Sequence, residues 1–537
     1  MADKSPRTYF VREATGLVKS LTWFDVMIVG LAYFSIAVAS FLIFGLGSYL
    51  FPGSNMVILV SVIGLILDIP IMIAYGMFSS VMPRSGGDYV YISRTFVPSL
   101  GFAASVVFWL YGLTFAGGQN AYFTVSFGLA PYLGAIGAVG GNSGLVSFAQ
   151  SITQPVPLVA VGTIMLIVLF VLMLVPTAVL HRVLFVSFIL AFVGYPVLFV
   201  GTLAFASHGQ FVTDFNNHVA SLGLNTSYDG IVASAQKAGA NLAPVTLGAT
   251  LAALPLAYAT LGVPNSGVYF GGEVKRSSRQ VPLGLIACLL VIAGSVAAMG
   301  YLIYNVFGYN FIAATSYLSN TGGYTLPVAP YVNYFLAIIY PNAAFNWFML
   351  ISVLAWQVIV MALIGLVATR ILFAWSFDRL VPSAMSEISQ RFHTPVKGAV
   401  VVTVVCWVFL VATVYNFLGS YVNLVFAQAA LYLLTMIAAT VFPLMKKDLF
   451  NQTSNWATRK VGGLPLMSVF GGIGAAVLLM NFYFLFTDPA VSGYSLTSFL
   501  IIVATYIVFI ALYFVVKAQR KRQGIDLSYV FAEIPPE

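Results

Sequence analysis

Apolar runs longer than a lipid bilayer is thick recur from one end of this chain to the other, among them residues 56–81, 156–180 and 496–516. Each exceeds the roughly 20 residues that an α-helix needs to cross about 30 Å of hydrocarbon. In lipid, only helices and closed barrels satisfy every backbone donor and acceptor. The runs are continuous rather than alternating, which excludes a barrel. Charged residues make up only 7% of the chain, against about 25% in soluble globular proteins. The pattern predicts an all-α polytopic membrane protein.

Hydropathy places twelve spans at roughly 23–50, 56–81, 100–134, 156–177, 184–206, 244–271, 282–308, 343–371, 397–417, 421–445, 464–487 and 496–516. The segments 135–155 and 207–243 are rich in Gly, Ser and Asn and read as loops on one side, as does 309–342. Lys4, Arg7, Arg12 and Lys19 precede the first span with no small-residue cleavage site, so a cytoplasmic tail is expected there rather than a secretory leader. Alternation from that start puts every Lys and Arg except Lys237 on the same side as the tail. Such a bias is the positive-inside signal, so both termini are expected in the cytoplasm and the protein in the cell membrane. The net charge of +8 thus reads as orientation, not as a nucleic-acid footprint. The tail from Lys517 reads as a basic anchor at the headgroups.

Little residue chemistry is present for catalysis. Cys288 and Cys406 lie in apolar runs without pairing or metal-ligand spacing. His181, His208, His218 and His393 fall in loops or at span ends, and no phosphate-binding G-x-x-x-x-G-K-[ST] loop occurs. No cofactor, metal or enzymatic activity is expected.

Two spans are peculiar in corresponding places. The first carries Gly30, the polar pair Tyr33 and Ser35, then Gly45 and Gly47; the sixth carries Gly262-Val263-Pro264-Asn265-Ser266-Gly267 at its middle. Proline lacks an N–H and glycine tolerates non-helical angles. Unwound backbone at membrane depth survives only where it is buried in protein or lines a cavity. Spans one and six are separated so that a five-plus-five repeat would be inverted, and interruptions at matching places in inverted halves point to a transport site.

The loops carry a further pattern. Pro83-Arg84-Ser85-Gly86-Gly87-Asp88-Tyr89-Val90-Tyr91 follows span two; Glu273-Val274-Lys275 with Arg279 and Pro282 follows span six. Arg370, Asp378-Arg379-Leu380-Val381-Pro382 and Thr394-Pro395 follow span eight, and Phe24-Asp25 opens span one. In order and spacing over residues 20–400 this set resembles the amino acid–polyamine–organocation (APC) superfamily. The chain departs from the family at Ile36-Ala37-Val38 in place of a G-x-G pattern, at Met77 in place of an acid, and at Arg276-Ser277 in place of Asn-Pro, so it resembles a divergent member. The resemblance implies a leucine-transporter-type fold. Its first repeat would cover 21–207 and its inverted second repeat 244–445, with two further helices over 464–516 and tails at 1–20 and 517–537. It also implies an amino acid permease with its substrate held between spans one and six.

The residues expected around the first break are Gly30, Ala32, Tyr33, Phe34, Ser35 and Ile36, and around the second Tyr258, Ala259, Thr260, Leu261, Gly262 and Asn265. Free N–H groups at a half-helix favour a carboxylate and free carbonyls an ammonium, which suits an α-amino acid. Alignment to the family adds Tyr111, Gly112 and Ala116 from span three. This set holds no charged side chain, and burying an unpaired charge is costly, so a neutral or apolar amino acid is the expected substrate. Asp68 is the sole carboxylate near the middle of a span; ionised there it would cost about 2.5–3.5 kcal/mol, so it reads as a coupling or gating group or as a hydrogen-bonding one. Span five contains no lysine, the residue that some proton-coupled relatives place there, and span eight offers Ser352 and Gln357 without an adjacent Ser/Thr pair. Sodium is thereby disfavoured, and protons are the candidate partner ion. Arg84, Asp88, Glu273, Lys275, Arg279, Arg370 and Asp378 read as salt-bridge latches on the cytoplasmic side. Against the carrier stand an amino acid-binding membrane sensor, a carrier of polyamines or organic cations, and a channel.

Overall fold

The computed structural model describes residues 19–33, 47–261, 264–390, 392, 394–417, 424–451, 456–487 and 495–531. Among them the only strands are Lys460–Val461 and Leu464–Pro465, a two-residue hairpin ladder. The rest of the regular structure is helical, and the protein is an all-α polytopic membrane protein.

Ten described helices are long and apolar enough to cross a bilayer. We label the elements α1 (Trp23–Tyr33), α2 (Met56–Val81), α3 (Asp88–Thr95), α4 (Pro98–Val139), α5 (Pro155–Leu174) and α6 (Val179–Ala204). Then come α7 (His208–Ser221), α8 (Tyr228–Lys237), α9 (Leu254–Leu261), α10 (Ser277–Phe307), α11 (Tyr309–Thr321) and α12 (Val332–Ile339). The last are α13 (Ala343–Phe377), α14 (Val396–Val414), α15 (Leu424–Met445), α16 (Leu466–Thr487), α17 (Ser495–Arg522) and the short α18 (Leu527–Val530). The ten spans are α2, α4, α5, α6, α10 and α13 through α17. Predicted spans one and six are the two that the ten leave over. The first contributes α1, with residues 34–46 outside the described set. The sixth gives α9 and then a 3-10 segment, Pro264–Tyr269. Proline cannot donate to the turn before it and disfavours the α conformation in its predecessor, which accounts for the change of winding by Pro264.

The segments 207–243 and 309–342 correct the loop expectation: they hold α7, α8, α11 and α12. Their polar faces lower the mean hydropathy, but Phe211, Phe215 and Val219 recur at helical spacing and are fully buried. Ser207 and Ser227 cap α7 and α8 by accepting from the backbone N–H of Gln210 and Gly230. The four helices close into a cap whose centre is aromatic: Phe211 meets Phe307 at 4.8 Å, Phe215 meets Phe311 at 5.0 Å, and Tyr228 stacks on Phe311 at 4.4 Å.

At the opposite end of α10 from the cap, the helix ends carry described bases such as Lys275, Arg276 and Arg279. Lys275 N–H donates to the Leu21 carbonyl, and Arg520 Nε donates to the Arg379 carbonyl. We call this the basic face. There α18 folds back under α17, burying Leu527, Val530 and Phe531.

Candidate functional site

The chain around α1 and the chain around the 3-10 segment lie side by side. Ser20 and Leu21 N–H groups both donate to the Glu273 carbonyl at 3.0 Å, Leu21 bridges Val274 in parallel, and Trp23 N–H donates to Gln280 Oε1. Farther in, α1 packs on the 3-10 segment and on α10. Glycine makes this approach attainable: a Cβ on Gly267 would stand 2.4 Å from Val26 Cγ1, and one on Gly284 2.5 Å from the same atom. Bulk at either position would push α1 away.

Of the residues expected around the first break, Gly30 and Ala32 are buried in α1 and Tyr33 is its last described residue. Phe34, Ser35 and Ile36 lie outside the described residues. Around the second, Tyr258, Ala259, Thr260 and Leu261 form the last turn of α9, and Gly262 lies outside the described residues. Asn265 is fully buried in the 3-10 segment. Its Oδ1 accepts from Tyr432 Oη of α15 at 2.5 Å, while its Nδ2 has no partner among the described residues. A buried amide proton without an acceptor costs free energy, so a donor is held ready at the break.

Next to Asn265 in the chain, Ser266 and Tyr269 of the 3-10 segment line a cavity of about 40 Å³ together with Phe108, Trp109, Gly112 and Leu113 of α4 and Leu363, Ile364, Val367, Ala368 and Ile371 of α13. Gly112 leaves it open, with no atom within 4 Å of where its Cβ would be. Tyr111, one residue away on α4, points elsewhere: it packs with Val107, Phe426, Ala427, Leu485 and Ile502. Ala116 is buried in the main core. Asp68 is buried in α2, close enough to Cys288 of α10 for its charge to be felt there.

Charged groups cluster toward the basic face. Arg370 of α13 grips Glu273 through Nε at 2.6 Å and Nη2 at 3.1 Å. Asp378 is paired with Arg94, Nη2 to Oδ1 at 2.9 Å and Nη1 to Oδ2 at 2.8 Å, and also accepts from Tyr89 Oη at 2.6 Å. Phe531 lies over the Arg94 guanidinium at 4.7 Å, a cation–π contact. Asp25 joins His181 at the start of α6 at 2.5 Å. Of the residues expected as latches, Arg370 pairs with Glu273 among the described residues, while Asp378 takes Arg94, which the sequence reading passed over. Arg94 carries a readable signal, since it is a lone base in the apolar run Tyr89-Val90-Tyr91-Ile92 that follows the SGGD turn. Asp88 forms no ion pair among the described residues. It accepts from Tyr75 Oη at 2.6 Å, Tyr269 Oη at 2.5 Å and Thr435 Oγ1 at 2.5 Å. Those partners lie 13, 181 and 347 residues away, beyond the reach of local pattern.

A search of curated proteins returned no match. A family model described as amino acid permease covers residues 28–525.

Proposed function

The chain belongs to the amino acid permease family, a family of transporters of amino acids, and on that premise we propose that it is a secondary carrier of neutral or apolar amino acids working by alternating access. One observation carries this reading. The interrupted sixth span contributes Ser266 and Tyr269 to a cavity whose other walls are largely apolar rings and branched side chains, and buries the Nδ2 of Asn265, unpartnered among the described residues, immediately before Ser266. A zwitterion supplies the charges that backbone groups at a break can meet, and an uncharged side chain suits walls that offer no counter-ion. The cavity as it stands holds only a few waters, so the reading takes this conformation as a closed one. In the five-plus-five arrangement, residues 21–207 and 244–445 form the inverted repeats. The substrate residues proposed are Gly30, Ala32, Tyr33, Phe34, Ser35 and Ile36 at the first break and Tyr258 through Gly262 with Asn265 at the second. Tyr111 stands outside the described cavity, and its place in the site depends on movement of α4 against α15.

Protons are the proposed coupling ion, with Asp68 as the coupling or gating group where α2 packs on α10. The basic face is proposed to be cytoplasmic and the membrane to be that of the cell. The test is uptake of a labelled amino acid panel into proteoliposomes with and without pH and sodium gradients. Concentrative uptake of neutral amino acids driven by a pH gradient, and its loss in Asp68→Asn, is the expected result. Binding without flux would identify a sensor instead, and preference for polyamines would overturn the substrate class.

A further inference from the structure

Asp88 is a carboxylate with no cation in reach. It is fully buried, and among the described residues no lysine, arginine or histidine stands within ion-pair distance of it. The side chains that face it are hydroxyls and rings, and its own backbone N–H also donates to it. α2 presents Tyr75, the 3-10 segment presents Tyr269, and α15 presents Thr435 and, one ring beyond, Tyr432. α4 presents Phe108, stacked on Tyr269 at 5.9 Å. α17 presents Tyr506, which feels the Asp88 charge at longer range. Tyr91 lies on the same helix as Asp88. The nearby bases point elsewhere: Arg94 is committed to Asp378, and Arg84 Nη1 donates to the Pro83 carbonyl.

The SGG turn builds this arrangement. Gly86 and Gly87 have φ of 107° and 50°, left-handed values that side chains avoid. Gly86 N–H donates to the Tyr269 carbonyl, and a Cβ on Gly87 would meet the Tyr269 ring at 2.9 Å. The turn therefore presses the start of α3 onto the very end of the interrupted sixth span.

Tyr75 and Thr435 donating to Oδ1 and Tyr269 donating to Oδ2 suit the ionised carboxylate, because a protonated carboxyl accepts more weakly and its own proton needs an acceptor. Burial opposes this and pushes Asp88 above the ordinary carboxylate range, with the three hydroxyls pulling back. One of the three, Tyr269, belongs to the element whose movement the transport cycle requires. We propose that Asp88 is a proton-binding site whose affinity is set by the position of the interrupted sixth span: docked, Tyr269 holds the carboxylate ionised; withdrawn, it leaves a dry carboxylate that takes a proton. By linkage, protonation favours the withdrawn conformation to the same degree. This rests on the carrier reading and differs from gradient coupling at Asp68, because it acts with equal pH on both sides of the membrane.

The test is exchange of the best-transported labelled amino acid in proteoliposomes, followed against pH with the two sides always equal. The wild type is expected to show an inflection that Asp88→Asn flattens. Tyr269→Phe and Thr435→Val, each lacking one donor to the carboxylate, are expected to move the inflection upward by about one pH unit. A merely structural role for Asp88 would lower rates without moving the midpoint. If Asp88→Asn fails to fold, the two hydroxyl variants still decide. An unmoved midpoint in both, an unchanged inflection in Asp88→Asn, or a wild-type profile without any inflection overturns the proposal while leaving transport standing. Absence of exchange for every amino acid, with binding retained, would instead overturn the carrier reading.

Discussion

The two ends of the helical bundle are held shut by opposite kinds of force. At the cap, α7, α8, α11 and α12 meet around rings, with Phe211, Phe215 and Phe311 fully buried, and among the described residues no ion pair joins them, only hydrogen bonds such as His218 with Tyr334. At the basic face, separate helices are joined by buried ion pairs and by a carboxylate wrapped in hydroxyls. Apolar contact is non-directional and roughly proportional to area. A bidentate guanidinium–carboxylate pair holds one geometry and loses most of its benefit once displaced, so it suits a junction with two discrete states. The contrast assigns permanence to the cap and exchangeability to the basic face.

The largest expected effect tests permanence. Phe211→Ala should cost about 3–5 kcal/mol, seen as a lowered thermal unfolding midpoint in detergent, with the balance of conformations in the surviving protein unchanged. That balance is readable by thiol labelling of a cysteine introduced on the basic face, because Cys288 and Cys406 are both buried. Asp378→Asn should cost about 3 kcal/mol by stranding the Arg94 charge, and here labelling should rise. The double variant Arg94→Met with Asp378→Leu should recover most of the stability but not the original labelling. Equal labelling in Phe211→Ala and Asp378→Asn would erase the distinction. Tyr89→Phe, which removes one hydroxyl from Asp378, should cost about 1.5 kcal/mol and raise labelling by less.

The smallest effect concerns His218, whose Nε2 meets Tyr334 Oη at 2.8 Å inside the cap. Burial lowers its pKa below the ordinary histidine value. The fold thus favours the neutral ring, so this contribution is complete above the ordinary histidine range and is lost as pH falls through the lowered value. Unfolding midpoints measured across that range should drop on the acid side in the wild type and lose this component in His218→Asn.

Much of the architecture is legible in the chain because lipid imposes one demand, an unbroken apolar run, at every span; α2, α5 and α10 follow from it directly. The cap helix α7 is not, since one side of it is exposed and Phe211, Phe215 and Val219 are diluted by His, Gln, Asp and Asn between them. The glycine and proline of the sixth span foretell its change of winding at Pro264, a consequence of local backbone chemistry. Asp88 is legible only as an acid beside bases. What it touches depends on three tyrosine and threonine hydroxyls brought together by tertiary packing, and no spacing rule reaches across 347 residues. Asp378 finds Arg94 rather than a base of its own motif for the same reason.

Stitching the chain before α1 to the chain after the 3-10 segment has a mechanical outcome. Glu273 takes two N–H groups from Ser20 and Leu21 on its carbonyl while its side chain is gripped by Arg370, and Val26 sits in a notch floored by Gly267 and Gly284. On the carrier reading, α1 and the chain after the 3-10 segment would therefore travel as one lever, with Arg370 on Glu273 as one of its fastenings beside those that Asp88 and Gly86 make to Tyr269. Neither stretch could then swing without carrying the other along.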